Sequence, residues 1–155
     1  MKQLRVYCDT SVLGGCFDEE FQKESELFFE HVKNGKFVLV ISPTVLAELD
    51  AAPEHVQKVL SALPSDFVEF TEFSGEVAYL RDEYIKAGIL TPSSKSDAEH
   101  IASASIADAD FVVSWNFKHI VHYDKISGYQ AVNLMNGYRE IRIYSPREVV
   151  DNDEE

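Results

Sequence analysis

Phe37-Val38-Leu39-Val40-Ile41 is the stretch that most constrains what this chain can fold into. A strand built from an unbroken apolar run has no face to offer water, so it belongs to a sheet covered on both sides. Ser42-Pro43 follows at once and reads as a helix start, with the serine as cap and the proline in the first helical position. A buried strand feeding straight into a helix is the repeating unit of an α/β sheet. The rest of the chain fits that unit. Leu4, Val6 and Cys8 alternate with Arg5 and Tyr7 in a strand ending at Asp9-Thr10-Ser11, and further strands are expected at Phe67–Phe70, Phe111–Val113 and Glu140–Tyr144.

Helical spacing fills the gaps. Gly14-Gly15 breaks regularity after the first strand, and a helix over Glu24–Lys33 stops at Asn34-Gly35. Others are expected after Pro43, after Pro53 and over Ser74–Lys86, the last closed by Gly88. Residues 89–95 read as a loop. Ser96 then caps a helix carrying Asp97 in its first turn, where a carboxylate meets free backbone N–H groups. Asp108-Ala109-Asp110 turns into the strand Phe111–Val113, which delivers Ser114-Trp115-Asn116. A helix is expected near Gln130–Asn136, and Ser145-Pro146 opens a short final one. The sum is a mostly parallel central sheet with helices on both faces, in one domain over residues 1–150. The acidic tail 151–155 is expected to be a flexible extension.

Composition excludes several classes. An apolar fraction of 45% argues against disorder. The longest apolar run is far too short for a bilayer, and Met1-Lys2-Gln3-Leu4-Arg5 leads directly into a strand without a signal-peptide core. Two cysteines, Cys8 and Cys16, make neither a disulfide framework nor a zinc site. A cytoplasmic protein is expected, with no membrane partner. The net charge of −13 is the opposite of what an electrostatic nucleic-acid binder carries.

Right-handed crossovers bring the strand carboxyl ends to one edge of such a sheet, where open α/β proteins place their sites. Asp9 and Asn116 fall on that edge; Glu48, beyond the second strand, and Asp97, at a helix start, can join them. Two carboxylates about 4 Å apart repel by roughly 4 kcal/mol at an effective dielectric of about 20. Three sharing a pocket at neutral pH need a proton or a cation. Oxygen-rich, thiol-free surroundings favour Mg²⁺ or Mn²⁺ over zinc, and such an ion serves phosphodiester hydrolysis by orienting water and stabilising phosphoryl charge.

Val6-Tyr7-Cys8-Asp9-Thr10-Ser11, Val45-Leu46-Ala47-Glu48-Leu49, Asp97-Ala98-Glu99-His100-Ile101-Ala102 and Phe111-Val112-Val113-Ser114-Trp115-Asn116-Phe117, in that order, resemble the PIN-domain family. Many of its members are ribonuclease toxins of VapC-type toxin–antitoxin pairs. The resemblance spans nearly the whole chain. It implies a PIN-like three-layer sandwich and a Mg²⁺- or Mn²⁺-dependent endoribonuclease, a hydrolase acting on RNA phosphodiesters. It also implies an antitoxin partner, and dimers are common in the family. By that resemblance Asp9, Glu48 and Asp97 bind metal and carry catalysis, and Ser11 supports them by hydrogen bonding. Ser114 keeps the hydroxyl that ends the fourth strand. The acid usually found two residues later is replaced by Asn116, whose carboxamide oxygen can still ligate a hard cation but adds no charge.

Lys95, Lys118, His119, Arg139 and Arg142 are the candidates for a basic rim touching RNA phosphates. Trp115 could stack on a base, but a packing role fits it better. His119, His122 and Asp124 are too few ligands for a transition-metal site. Two rival readings stand beside the nuclease. One is a non-catalytic or weakly active domain that binds RNA or a protein partner. The other is a phosphatase or receiver using Asp9 as nucleophile, against which Asp9-Thr10-Ser11 lacks a second aspartate two residues on.

Overall fold

The computed structural model describes residues 3–150. Five strands form one all-parallel sheet: β1 (Leu4–Cys8), β2 (Phe37–Ile41), β3 (Val68–Phe70), β4 (Phe111–Val113) and β5 (Ile143–Tyr144), in the spatial order β3-β2-β1-β4-β5. Eight helices connect them: α1 (Thr10–Gly15), α2 (Gln22–Lys33), α3 (Pro43–Asp50), α4 (Glu54–Ser61), α5 (Gly75–Lys86), α6 (Lys95–Ile106), α7 (Tyr123–Met135) and α8 (Pro146–Val150). The expected tail at 151–155 lies outside the described residues.

Burial explains why the apolar runs carry no alternation. Val6, Tyr7 and Cys8 in β1, and Leu39, Val40 and Ile41 in β2, are buried at consecutive positions, so both sheet faces are covered. Pairing sets Leu4 beside Phe37 and Val6 beside Leu39. Phe37 packs on Phe28 of α2, which assigns that face to α2. The opposite face, reached by Tyr7, is covered by α6, where the Tyr7 ring meets His100 edge-on.

Chain order and space order part company at β1, which has β2 on one side and β4 on the other. The segments leaving β1 and β4 therefore diverge at their carboxyl ends, which opens a crevice there. α1 passes close beside it: a methyl group added at Gly15 would sit 2.5 Å from Ser25 Oγ and 2.8 Å from the Trp115 indole nitrogen. Only glycine lets the helix approach that near.

Several sequence expectations shift. Ser96 does not cap α6; Ser94 holds the cap position without a side-chain bond, and the Ser96 hydroxyl crosses to Glu48 instead. α7 begins at Tyr123, earlier than expected, because His122 caps it by accepting from Asp124 N–H at 3.3 Å. Gly128 lies inside it, where a glycine weakens a helical pattern. The segment after Asp9 is a short helix, not a break, and β5 keeps only two paired residues of the expected run. Ser42 caps α3 as read from sequence, and Ser74, expected as the first residue of its helix, caps α5.

Candidate active site

The β1–β4 register determines what meets in the crevice. Cys8 pairs with Val113, so the next residues out are Asp9 and Ser114. The Ser114 hydroxyl donates to Asp9 Oδ2 at 2.7 Å, and Ser11 Oγ donates to Oδ1 at 2.6 Å. Ser11 in turn accepts from the Trp115 backbone N–H at 2.9 Å, and Ser114 from that of Asn116 at 2.9 Å. Two serines thus latch the ends of neighbouring strands around one carboxylate. Asp9 stands at the cap position of α1 yet makes no side-chain capping bond, so its oxygens face the crevice. It is only 3% exposed. Burial pushes its pKa up, and the nearby Glu48 charge adds to this; the charge of His100 and the two serine bonds recover only part.

Asp97, in the first turn of α6, receives the Asn116 side-chain N–H at 3.2 Å. Burial raises its pKa too, opposed by His100 and His119 and reinforced by Asp9 and Glu48. The Asn116 oxygen accepts from the backbone N–H groups of Lys118 (3.2 Å) and His119 (2.9 Å). Those donors fix which way the amide points, since a flipped amide would oppose N–H to N–H and oxygen to carboxylate. The atom that sequence reasoning offered to a cation is therefore spent on the turn, and Asn116 presents a donor to Asp97.

Glu48 is placed by α3 and has both oxygens engaged. Oε1 accepts from Thr10 Oγ1 and, at 3.0 Å, from His100 Nε2; Oε2 accepts from Ser96 Oγ at 2.6 Å. Burial alone would raise its pKa, but His100, Ser96 and Thr10 outweigh that and hold it at about 2. His100 shows the complementary shift: burial lowers its pKa, while the Glu48 bond and the charges of Asp9, Glu48 and Asp97 bring it out above the ordinary value. His100 does not bond to Asp97, its neighbour one turn back. Glu99 leaves the site altogether, bonded by Thr44 Oγ1 at 3.0 Å and by Arg81 at 2.8 Å.

Of the rim candidates, Lys95 and Lys118 are exposed and lie two residues from Asp97 and Asn116 in sequence, and the Lys95 charge acts on Asp82. His119 is near enough for its charge to act on Asp97, and its Nδ1 is buried without a hydrogen-bond partner. Arg139 is not at the crevice. It donates to Asp108 Oδ1 at 2.7 Å in the α6–β4 turn, at the amino end of the sheet, and Arg142 also precedes β5 there. Trp115 packs, as expected: 5% exposed, it stacks on Phe21 with ring centroids 4.2 Å apart and donates to Ser25 at 2.8 Å. Thr10, Ser96 and Tyr7 were missed from sequence. Thr10 follows Asp9 directly, which was the one local signal.

Donor chemistry suits a hard divalent cation. Asp9 and Asp97 feel each other's charge, are desolvated, and have only hydroxyl and amide hydrogen-bond donors. Among the described residues, however, no group of three or more His, Cys, Asp or Glu side chains stands close enough to enclose an ion. Mg²⁺ is commonly held by one or two carboxylates and several waters, which this pair could supply.

A scan of known protein-family models finds no match to the chain, and a search of curated proteins finds none. Among solved structures it is similar to VapBC2 from Rickettsia felis bound to a DNA fragment from their promoter. The identity is 18%, covering 92% of this chain and 98% of that one, with a TM-score of 0.57. A looser likeness is to Mycobacterium tuberculosis VapC20, a sarcin-ricin loop cleaving toxin, at 14% identity over 88% and 98% of the two chains and a TM-score of 0.48. The fold is the PIN-like α/β fold of VapC-type structures.

Proposed function

We propose that this protein is a divalent-cation-dependent endoribonuclease, the toxin of a toxin–antitoxin pair. The observation that carries the reading is the desolvated Asp9–Asp97 pair in the β1–β4 crevice, each carboxylate supported by neutral donors with its pKa raised. Such a pair is unfavourable in a metal-free protein and becomes favourable with a cation beside it. Asp9 and Asp97 would hold Mg²⁺ or Mn²⁺, with Glu48 at the edge of the site; the ion would supply an activated water and charge stabilisation for phosphodiester hydrolysis.

The chain's own residues do the rest. Ser11 and Ser114 fix the Asp9 oxygens, and Asn116 fixes one oxygen of Asp97, so the carboxylates need little reorganisation to accept charge. Lys95 and Lys118 flank the crevice as phosphate contacts on an otherwise acidic surface. A surface of net charge −13 suits a basic antitoxin, in keeping with the VapBC2 pair of the similar structure. Use of Asp9 as a covalent nucleophile is disfavoured, because Asp9-Thr10-Ser11 lacks a second aspartate two residues on.

The test is Asp9→Asn in an RNA cleavage assay with Mg²⁺ or Mn²⁺. Removing one ligand charge should cost at least about 100-fold in rate. Equal cleavage by wild type and variant would overturn the reading. Wild-type protein that binds RNA but cleaves none with either metal would favour the non-catalytic rival.

A further inference from the structure

Behind Glu48 runs a buried chain of polar groups that the proposed chemistry does not use. The Val45 backbone N–H donates to Ser42 Oγ at 3.2 Å; Ser42 Oγ and the Tyr7 hydroxyl are 2.7 Å apart; the Tyr7 hydroxyl and His100 Nδ1 are 2.7 Å apart. His100 Nε2 then meets Glu48 Oε1 at 3.0 Å. Tyr7 and Ser42 are wholly buried and His100 nearly so. Glu48, held as a carboxylate, can only accept, so Nε2 carries a hydrogen whatever the state of Nδ1. Ser42 caps α3 and Glu48 rides on α3. The chain therefore leaves that helix at its cap, crosses β1 and α6, and returns to the same helix six residues on.

Core packing alone does not call for this. A buried polar chain must be fully satisfied to be tolerated, and apolar residues of similar volume commonly pack at least as well. What the polar version adds is a directed hydrogen bond at its far end, and that end is a half-exposed carboxylate beside Asp9 and Asp97. We propose that His100 and Tyr7 are positioning residues of the candidate site: through the Ser42–Tyr7–His100 chain they hold the Glu48 carboxylate where it supports cation binding. This rests on the cation-dependent reading above. Groups that orient metal-site carboxylates without touching the ion are commonly worth 10–100-fold in affinity or activity.

The experiment combines ¹H–¹⁵N NMR of the imidazole with Mn²⁺ titration calorimetry and RNA cleavage on the full chain. Wild-type protein should show a slowly exchanging His100 Nε2–H signal that moves in Tyr7→Phe and disappears in Glu48→Ala. Its absence from wild type overturns the proposal whatever the metal chemistry. His100→Leu should weaken Mn²⁺ binding and slow cleavage about 10-fold, and His100→Gln, which keeps an N–H for Glu48, should recover most of both. A merely structural role would move neither affinity nor its rescue by glutamine. Folded His100→Leu protein with unchanged Mn²⁺ affinity overturns the proposal. So does a gain in affinity, which would mean that His100 competes with the cation. Should His100→Leu fail to fold, Tyr7→Phe and the wild-type signal decide. If wild-type protein neither binds Mn²⁺ nor cleaves RNA, the nuclease reading falls and takes the site role with it. An intact imidazole signal would then locate the failure in the metal chemistry and not in the Glu48 contact.

Discussion

The two ends of the sheet treat their acids in opposite ways. Near the amino end, Asp108 meets Arg139, and the Arg5 guanidinium reaches from there to Glu69, midway along β3, at 2.5 and 2.9 Å. Arg5 also caps the carbonyls of Ala107 and Asp108. At the carboxyl end, Asp9 and Asp97 have hydroxyls and an amide where those acids have guanidinium groups, and His100, whose charge acts on both, gives its hydrogen bond to Glu48. The acids at one end are paired with guanidinium groups; at the other, Asp9 and Asp97 are left to be neutralised by something else. Stability and the proposed function are thus separated along the strand axis, and that separation is what substitutions can break.

The largest expected effect is Asp9→Asn, which should remove about 100-fold or more of cleavage while leaving stability equal or higher, because it deletes a desolvated charge. A thermal melt beside the cleavage assay checks both. His100→Leu, about 10-fold in affinity and rate, comes next. Arg5→Met at the amino end should do the reverse. It should lose about 2 kcal/mol of stability, discounted for partial exposure, with cleavage per folded molecule unchanged. A fall in specific activity would mean that the ends are coupled.

Much of this contrast could be read from sequence, and some could not. The Phe37–Ile41 run and the Ser42-Pro43 start specify buried strand and capped helix locally, so they survive into the structure unchanged. That Asp9, Glu48 and Asp97 come near enough to feel one another's charge is legible in sequence, because strand ends and a helix start define where they go. The direction of Asn116, the diversion of Ser96 and the capture of Glu48 by His100 depend on partners two to fifty-two residues away. No periodicity encodes those pairings. Arg139 was misplaced for a related reason: its partner Asp108 lies at a turn with φ of 58° that only the assembled sheet brings near.

Acid titration gives a smaller and more diagnostic signal, measured by denaturant unfolding of metal-free protein from about pH 8 to about pH 3. Asp9 and Asp97, with raised folded-state pKa values, work against the fold at neutral pH, and stability should grow as pH falls through those values. His100, also raised, adds stability that is present in mild acid and lost as pH rises past its folded-state value. Glu48 acts oppositely. Its contribution is present above the unfolded carboxylate value of 4.5 and is lost as pH falls toward about 2. The metal-free protein should therefore be most stable in mild acid, and Mn²⁺ should raise the neutral limb. A flat neutral limb without metal would contradict the unneutralised carboxyl end.

The smallest effect belongs to Arg139→Ala. Its pair with Asp108 is well exposed, so the stability loss should stay under about 0.5 kcal/mol, and RNA affinity should not change. A reduced salt dependence of RNA binding in that variant would carry the nucleic-acid path around to the amino end.

The pairing of Cys8 with Val113 has one more consequence. Asp9 and Ser114 are simply the next rung of that ladder, and Tyr7, two residues before Asp9, faces α6 because of the same pairing. A slip of one residue between β1 and β4 would send Tyr7 to the wrong face and separate Asp9 from its serine together. Registration and site assembly are one event, so a chain that zips incorrectly is also inert. For a molecule whose proposed job is to cut RNA, the sheet is its own safety catch.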